Sequence, residues 1–182
     1  MGISDTDFAT FCNISGFGSA EAEILSRVAK QVIPHIPELT DRFYEILARD
    51  ELTAPYLRQS SLALLKNTHI DWMTELFCGN LDEEFISRQT RIGETHVRFR
   101  IPPIFVAASM SFLRAALPAV ILQKVPDRSE ASRAVAALLR LLDLCHYLLD
   151  SSYNDALMDN LGVSPALLVR LRTVVARPYL GA

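Results

Sequence analysis

Four histidines are the first candidates for chemistry in this sequence, because a neutral imidazole is the commonest side-chain ligand of transition metals. They are His35, His69, His96 and His146. No HExxH pair is present, and the residues three positions before the histidines are Val32, Lys66, Gly93 and Asp143. The Glu-x-x-His pattern of di-iron helical bundles is therefore missing. There is also no G-x-S-x-G turn, so the sequence argues against a di-iron protein and against an ordinary hydrolase.

His96 differs from the other three histidines in its neighbours. It lies near the end of a predicted helix, with Ile92 and Gly93 one turn earlier on the same face. A flat cofactor whose metal binds the imidazole needs a close approach to the helix, which Gly93 permits because it has no Cβ. It also needs apolar neighbours, which Ile92, Val97 and Ile101 supply. The second ring nitrogen can donate to the Ile92 carbonyl and so fix a metal-binding tautomer. A partly buried histidine without a ligand explains the same pattern.

Helices must position these side chains, because the composition leaves little room for a sheet. Leucine and alanine supply 46 of the 182 residues, and only seven glycines are available for turns. Such a chain has many helix formers and too few turn residues for a many-stranded sandwich, so we expect one all-α domain. Hydrophobic periodicity and helix breakers predict helices over 4–13, 19–33, 38–49, 54–58, 61–78, 82–100, 104–124 and 128–161, and a shorter one over 165–177.

Individual residues mark the ends and the inward faces of these helices. Ser19, Ser61 and Asp82 are the predicted N-caps, and Pro34 and Pro37 are expected to break the chain before the third helix. The predicted inward row of the third helix is Leu39, Phe43, Ile46 and Leu47, with Tyr44 beside it. The predicted row of the fifth helix is Leu62, Leu65, His69, Trp72 and Leu76.

Charge and cysteine content narrow the possible partners and compartments. The net charge is −3, and lysines and arginines are scattered singly, which argues against a nucleic-acid partner. Cys12, Cys78 and Cys145 form no CxxC pair, so we expect reduced thiols buried in the core. The first residues lack the features of a secretory signal, and the apolar stretch 104–122 carries Arg114 at its middle. We therefore expect a cytoplasmic chain that does not span a membrane.

From the third helix onward, a series of residues has a distinctive order. It contains Phe43-Tyr44, then Leu65, Thr68 and Trp72, then Ile92-Gly93-x-x-His96-x-x-x-x-Ile101-Pro102. This series resembles the sensor globin domain of the bacterial globin-coupled sensors. The match covers about residues 43–105, the helix count extends it to about 161, and the leading helix before Ser19 fits the same family. The resemblance implies an all-α globin fold of about eight helices, with an extra N-terminal helix and no separate D helix.

The resemblance also implies a b-type heme and assigns roles around its iron. His96 would be the proximal iron ligand, Tyr44 the distal hydrogen-bond donor to bound gas, and Leu65 an apolar gate over the iron. Thr68 falls where some family members have a second distal polar group. The remaining predicted heme-site residues are Phe43, Ile92, Gly93 and Ile101.

Three further residues have weaker assignments. Some relatives place a histidine on the fifth helix as a sixth iron ligand, but here Leu65 takes the position facing the iron, so we expect His69 to lie too far along. Lys66 or Arg91 is the suggested contact of a heme propionate, and Trp72 is expected in the core.

The function implied by the resemblance is heme-based gas sensing, with O2 as the ligand and CO and NO also able to bind. We expect a sensor domain over residues 1–162 and a helical extension, or the start of a linker, over 163–182. The domain itself is expected not to be an enzyme, to dimerise through its last two long helices and to act on a covalently linked output domain such as a diguanylate cyclase or histidine kinase. The alternatives are a heme-free signalling module of globin-like fold and a stand-alone globin that oxidises NO.

Overall fold

The computed structural model describes residues 5–79, 82–162, 164, 166, 167 and 170. Within these residues the chain forms eight α-helices, one 3-10 turn and no strand. The helices are α1 (Asp5–Ser15), α2 (Ser19–Val32), α3 (Ile36–Arg49), α4 (Ala54–Leu57), α5 (Leu62–Glu75), α6 (Glu83–Arg98), α7 (Pro103–Lys124) and α8 (Arg128–Leu161). The predicted all-α fold, its helix count and its leading helix are confirmed. The predicted helix over 165–177 lies almost entirely outside the described residues, and the domain boundary at residue 162 stays a prediction.

Local hydrogen bonds explain where two of these helices begin. The Asp82 carboxylate accepts from the Phe85 amide at 2.9 Å, and the Ser61 hydroxyl accepts from the Leu64 amide at 3.5 Å. Both predicted N-caps are therefore confirmed, since each satisfies an amide that the first turn leaves unpaired.

The predicted cap of α2 is wrong by one residue. The N-cap position is Gly18, and its own amide donates to the Glu21 carboxylate at 3.0 Å. Ser19 already has helical backbone because the acidic side chain three residues beyond the cap folds back onto the glycine, as in one half of a capping box.

Pro34 and Pro37 interrupt the helices less than the sequence suggested. A single 3-10 turn, Ile33–His35, separates α2 from α3, and α3 begins at Ile36 with Pro37 in its first turn. Proline is tolerated there because the first amides of a helix have no partner within the helix.

The core forms mainly around α8, against which α2, α6 and α7 pack, while α3 packs on α5. Leu25 and Val28 of α2 and Leu138 and Leu142 of α8 are completely buried. The leading helix α1 adds Phe11, whose ring stacks on Tyr147 of α8 with ring centroids 6.4 Å apart. The long helix α8 is therefore the element on which the other layers rest.

Several predicted core residues are instead exposed. Ile46 is 45% exposed, because the inward face of α3 passes through Thr40 and Tyr44 rather than through Ile46. Leu62, in the first turn of α5, is 43% exposed. Cys145 is buried as expected, but Cys12 is half-buried and Cys78 is exposed just after α5 ends.

The helix α7 is long and apolar enough to cross a membrane by length and composition, the single such helix among the described residues. One third of its most apolar window is buried inside the structure, through packing on α2 and α8. Arg114, at the middle of α7, forms an ion pair with Asp143 of α8 at 2.6 Å. The pairing ties α7 to α8 and satisfies the one charge of the apolar stretch.

Gly93 allows α6 to approach α8 closely. A Cβ at this position would lie 2.5 Å from the Ser152 hydroxyl oxygen and 2.8 Å from the backbone oxygen of Leu149. The Ser152 hydroxyl also donates to the Thr90 carbonyl at 3.2 Å, across the same interface. The close approach predicted at Gly93 is present, but the neighbour on the side that lacks a Cβ is α8, where a cofactor was expected.

We expect Gly93→Ala to destabilise the protein by about 1–2 kcal/mol. Overpacking against α8 costs about 1–3 kcal/mol, and the better helix propensity of alanine returns up to about 1 kcal/mol. The measurement is urea unfolding of the purified protein, with Glu94→Ala, at an exposed position of the same helix, as the control. An unchanged or raised unfolding midpoint for Gly93→Ala would show that Gly93 does not set the distance between α6 and α8.

Candidate functional site

The helices α5 and α6 are linked by side-chain bonds near one end and pack on different neighbours along the rest of their length. The Trp72 indole donates to the Gln89 side chain at 2.8 Å, and Glu75 pairs with Arg88 at 3.1 Å. Away from these links, α5 rests on α3 while α6 rests on α8. The region between the two helices beyond these links is called the wedge below, and the links close it at the Trp72 end.

Leu65 and His96 line this wedge from opposite sides. Leu65 lies seven residues before Trp72 on α5, and His96 lies seven residues after Gln89 on α6. Seven residues are close to two helical turns, so each shares a helix face with the linked residue of its own helix. Since Trp72 and Gln89 face each other, Leu65 and His96 face the same interhelical space about 10 Å from the link.

The imidazole of His96 is held in one tautomer by its own helix. Its Nδ1 lies 2.8 Å from the carbonyl oxygen of Ile92. A carbonyl only accepts hydrogen bonds, so Nδ1 carries the proton and Nε2 keeps its lone pair. Burial lowers the pKa of His96, which keeps the ring neutral near pH 7. A neutral imidazole whose Nδ1 is held by a hydrogen bond and whose Nε2 has a free lone pair has the chemistry of a metal ligand.

Tyr44 and Thr68 meet at one backbone carbonyl on the opposite side of the wedge. The Tyr44 hydroxyl donates to the Leu65 carbonyl at 3.1 Å, and the Thr68 hydroxyl donates to the same oxygen at 2.9 Å. Burial raises the pKa of Tyr44 to about 12, so the phenol remains a protonated donor across the physiological range. The structure thus brings together three of the predicted distal residues, Tyr44, Leu65 and Thr68.

Phe43 and His69 belong to an aromatic cluster behind this carbonyl. The ring of His69 stacks on Phe43 with centroids 4.8 Å apart and on Trp72 at 5.8 Å. Its Nδ1 is buried without a hydrogen-bond partner among the described residues, and burial lowers its pKa to about 4. His69 is therefore a neutral ring within a stack of aromatic rings, one turn beyond Leu65.

The chain leaves α6 through a tightly bonded turn just after His96. The amide of Ile101 donates to the His96 carbonyl at 3.0 Å and that of Arg100 to the Val97 carbonyl at 2.9 Å. These two bonds form a Schellman motif, in which Arg100 takes the left-handed position with φ of 54°. The Tyr153 hydroxyl of α8 donates to the Ile101 carbonyl at 2.8 Å and holds the turn in place.

A cleft of about 640 Å³ lies beside this turn. Its lining comes from the segment around α4 and from the end of α6, namely Glu51, Leu52, Pro55, Tyr56, Gln59, Arg98, Phe99 and Arg100. Its volume is typical of a ligand or cofactor site. None of these eight residues was singled out from the sequence, although the Arg-Phe-Arg run directly before Ile101 and Pro102 was a signal available for it.

The two residues suggested from the sequence as propionate contacts have other partners. Lys66 forms an ion pair with Asp41 at 2.7 Å, and Arg91 donates to the Ser87 hydroxyl at 3.2 Å. The importance of Gln89 and Tyr153 could not be predicted from the sequence, since each depends on a partner elsewhere in the fold, namely the Trp72 indole and the Ile101 carbonyl.

Within the described residues, a bundle of helices with a metal-competent histidine on α6 and a buried tyrosine hydroxyl on α3 is typical of a globin. The Protoglobin family matches residues 4–159 of the chain, so the chain belongs to this family. The globin domain of a Geobacter sulfurreducens globin-coupled sensor is 28% identical, with a TM-score of 0.74 over 80% of this chain and 96% of that one.

Two forms of the globin domain of E. coli DosC have the same fold. The ferric form is 21% identical, with a TM-score of 0.65 over 73% of this chain and 95% of that chain. The ferrous form is also 21% identical, with a TM-score of 0.64 over 72% of this chain and 93% of that chain. The predicted resemblance is confirmed by the family and by these structures. Heme is the cofactor of this class of globin, and gas sensing through heme is its general function.

Proposed function

We propose that this chain is an O2-sensing globin domain in which His96 binds the heme iron and Tyr44 stabilises the gas ligand. The observation that carries the proposal is the His96 ring, whose Nδ1 is hydrogen-bonded to the Ile92 carbonyl, which leaves the lone pair on Nε2. Ferrous heme, when bound, supplies a position for O2, CO or NO and polarises O2 more strongly than CO.

Tyr44 is the residue that distinguishes between these gases in this proposal. Its hydroxyl is already bonded to the Leu65 carbonyl, so it must exchange that acceptor for the ligand. The exchange leaves the carbonyl satisfied, because the Thr68 hydroxyl still donates to it. Because Leu65 is inside α5, its carbonyl also accepts from the amide four residues later, so the exchange leaves no buried acceptor unpaired. Polarised O2 gains a strong hydrogen bond from the exchange, whereas nearly apolar CO does not.

We also propose how the domain passes on its ligand state. The domain relays its ligand state to a covalently linked partner domain such as a diguanylate cyclase or histidine kinase, acts in the cytoplasm and is not itself an enzyme. The support is the similarity to the Geobacter globin-coupled sensor domain. Rapid NO consumption by the reduced protein in the presence of O2 would favour the alternative of a stand-alone NO-oxidising globin instead.

We expect His96→Gly to lower heme affinity by more than the roughly 10- to 100-fold that loss of an outer partner of a metal ligand costs, because the proximal ligand itself is removed. Free imidazole added to this variant should restore the absorption spectrum of the heme. The control is His146→Gly, which removes a half-buried histidine of α8. Full heme occupancy with an unchanged spectrum in His96→Gly would exclude His96 as the iron ligand. If the unmodified protein takes up no heme, that result would favour the heme-free signalling module.

We expect Tyr44→Phe to raise the O2 dissociation rate about 10- to 100-fold and to change CO dissociation little. A phenol donor in a low-dielectric pocket stabilises polarised O2 by about 1–3 kcal/mol. In the unmodified protein the O2 rate should stay flat from pH 6 to about pH 10, because the pKa of Tyr44 is about 12. Flash photolysis and stopped-flow measure both gases, with Tyr147→Phe as the control. Equal effects on both gases would make Tyr44 a packing residue and Thr68 the next candidate.

We also propose a homodimer through α7 and α8. One face of α7 is exposed and uncharged along its whole length, through Ile104, Ala108, Ser111, Ala115, Ala119 and Leu122. Such a face is typical of a helix that packs against another helix.

Sedimentation velocity at micromolar concentration should therefore give a dimer, and Ala115→Glu should shift it to monomer. Ala20→Glu, on the exposed surface of α2, is the matched control. A monomer in the unmodified protein would contradict the proposed interface.

A further inference from the structure

The cleft beside the end of α6 combines an apolar lining with two cationic side chains. Leu52, Pro55 and Phe99 provide apolar surface, while Arg98 and Arg100 contribute positive charge to the lining. Glu51 also lines the cleft, so the lining has one net positive charge. An apolar molecule with carboxylates on one edge is the kind of ligand that this distribution fits.

Arg100 occupies a backbone position that glycine normally fills. It is the only non-glycine residue with positive φ among the described residues, and it takes the left-handed position of the Schellman motif. A side chain with a Cβ is strained there, whereas glycine is not. Glycine would form this turn without strain, so a non-glycine residue beside a cleft indicates that its side chain has a role other than forming the turn.

Neither arginine is neutralised by a carboxylate in the described part of the chain. Arg98 lies over the ring of Phe99, with its guanidinium carbon 5.4 Å from the ring centroid, and it forms no ion pair there. Other basic residues near the wedge differ in this respect, since Lys66 pairs with Asp41 and Arg88 with Glu75. The two unpaired guanidinium groups are therefore available to an anionic group from outside the chain.

We propose that Arg98 and Arg100 bind the propionate carboxylates of the heme. The two residues follow His96 by two and four positions, so the turn that positions the iron ligand also positions the two cations. A guanidinium group matches a carboxylate in charge and in its paired hydrogen-bond donors. This inference rests on the proposed binding of heme iron by His96, and it replaces Lys66 and Arg91 as the propionate contacts.

The test measures heme loss from the protein to an excess of apomyoglobin, which requires no ligand binding or signalling. Each protein is loaded either with hemin or with hemin dimethyl ester, in which the propionate charges are removed. We expect Arg98→Gln and Arg100→Gln each to speed the loss of hemin about three- to thirtyfold, as exposed charge-assisted hydrogen bonds imply. Loss of the dimethyl ester should be equally fast in the variants and in the unmodified protein.

Two further variants separate a ligand contact from a structural role. Arg100→Gly should raise the urea unfolding midpoint of the heme-free protein, because glycine relieves the left-handed strain, yet it should speed hemin loss as Arg100→Gln does. Arg91→Gln removes a charge from the same helix outside the cleft and should leave the rate of hemin loss unchanged.

The outcomes separate this inference from the proposed role of His96. Arginine variants that lose hemin and its dimethyl ester at equally increased rates, or that lose hemin no faster than the unmodified protein, would overturn the propionate assignment. A normal absorption spectrum in these variants would leave the iron ligand intact. An unchanged spectrum in His96→Gly would overturn the iron ligand instead.

Discussion

The close packing of α6 on α8 at Gly93 is the constraint on which the rest of the site depends. A glycine at this point brings the two backbones together, since a Cβ would lie 2.8 Å from the Leu149 oxygen. The interface also includes a hydrogen bond from Ser152 to the Thr90 carbonyl. Gly93 lies one turn from both Gln89 and His96 on the same side of α6, so the contact with α8 also fixes the rotation and the depth of these two side chains. The position of the imidazole thus follows from a helix contact one turn away on its own helix.

The opposite side of the wedge is built on a backbone acceptor rather than on a dedicated side chain. Tyr44 and Thr68 both donate to the Leu65 carbonyl, so a tyrosine on α3 is held against α5 without any charged group. Burial keeps the phenol protonated, as its raised pKa indicates. The Tyr44 hydroxyl therefore has an acceptor without a ligand. The net free energy of a hydrogen bond to a ligand is reduced by that of the bond to Leu65 that is lost.

Features set within one helix could be predicted from the sequence, and features set between helices could not. The Asp82 cap and the His96 bond to Ile92 follow from helix geometry alone, and both are present. The neighbour of Gly93 was predicted wrongly because a missing Cβ indicates a close approach without saying what approaches. Ile46 is exposed because contacts with α5, rather than periodicity, select the buried face of α3. The left-handed Arg100 was missed because glycine is the residue that marks such a turn.

The hydrogen bond from Tyr153 to the Ile101 carbonyl has a geometric consequence for α8. Because Ile101 is also bonded to the His96 carbonyl, a displacement of the end of α6 either stretches this bond or tilts the neighbouring turn of α8. The buried residues of α8 end at Ser152, and the helix continues to Leu161. These last turns extend about 12 Å past Tyr153, so a tilt of about 5° there moves the end of the helix by about 1 Å.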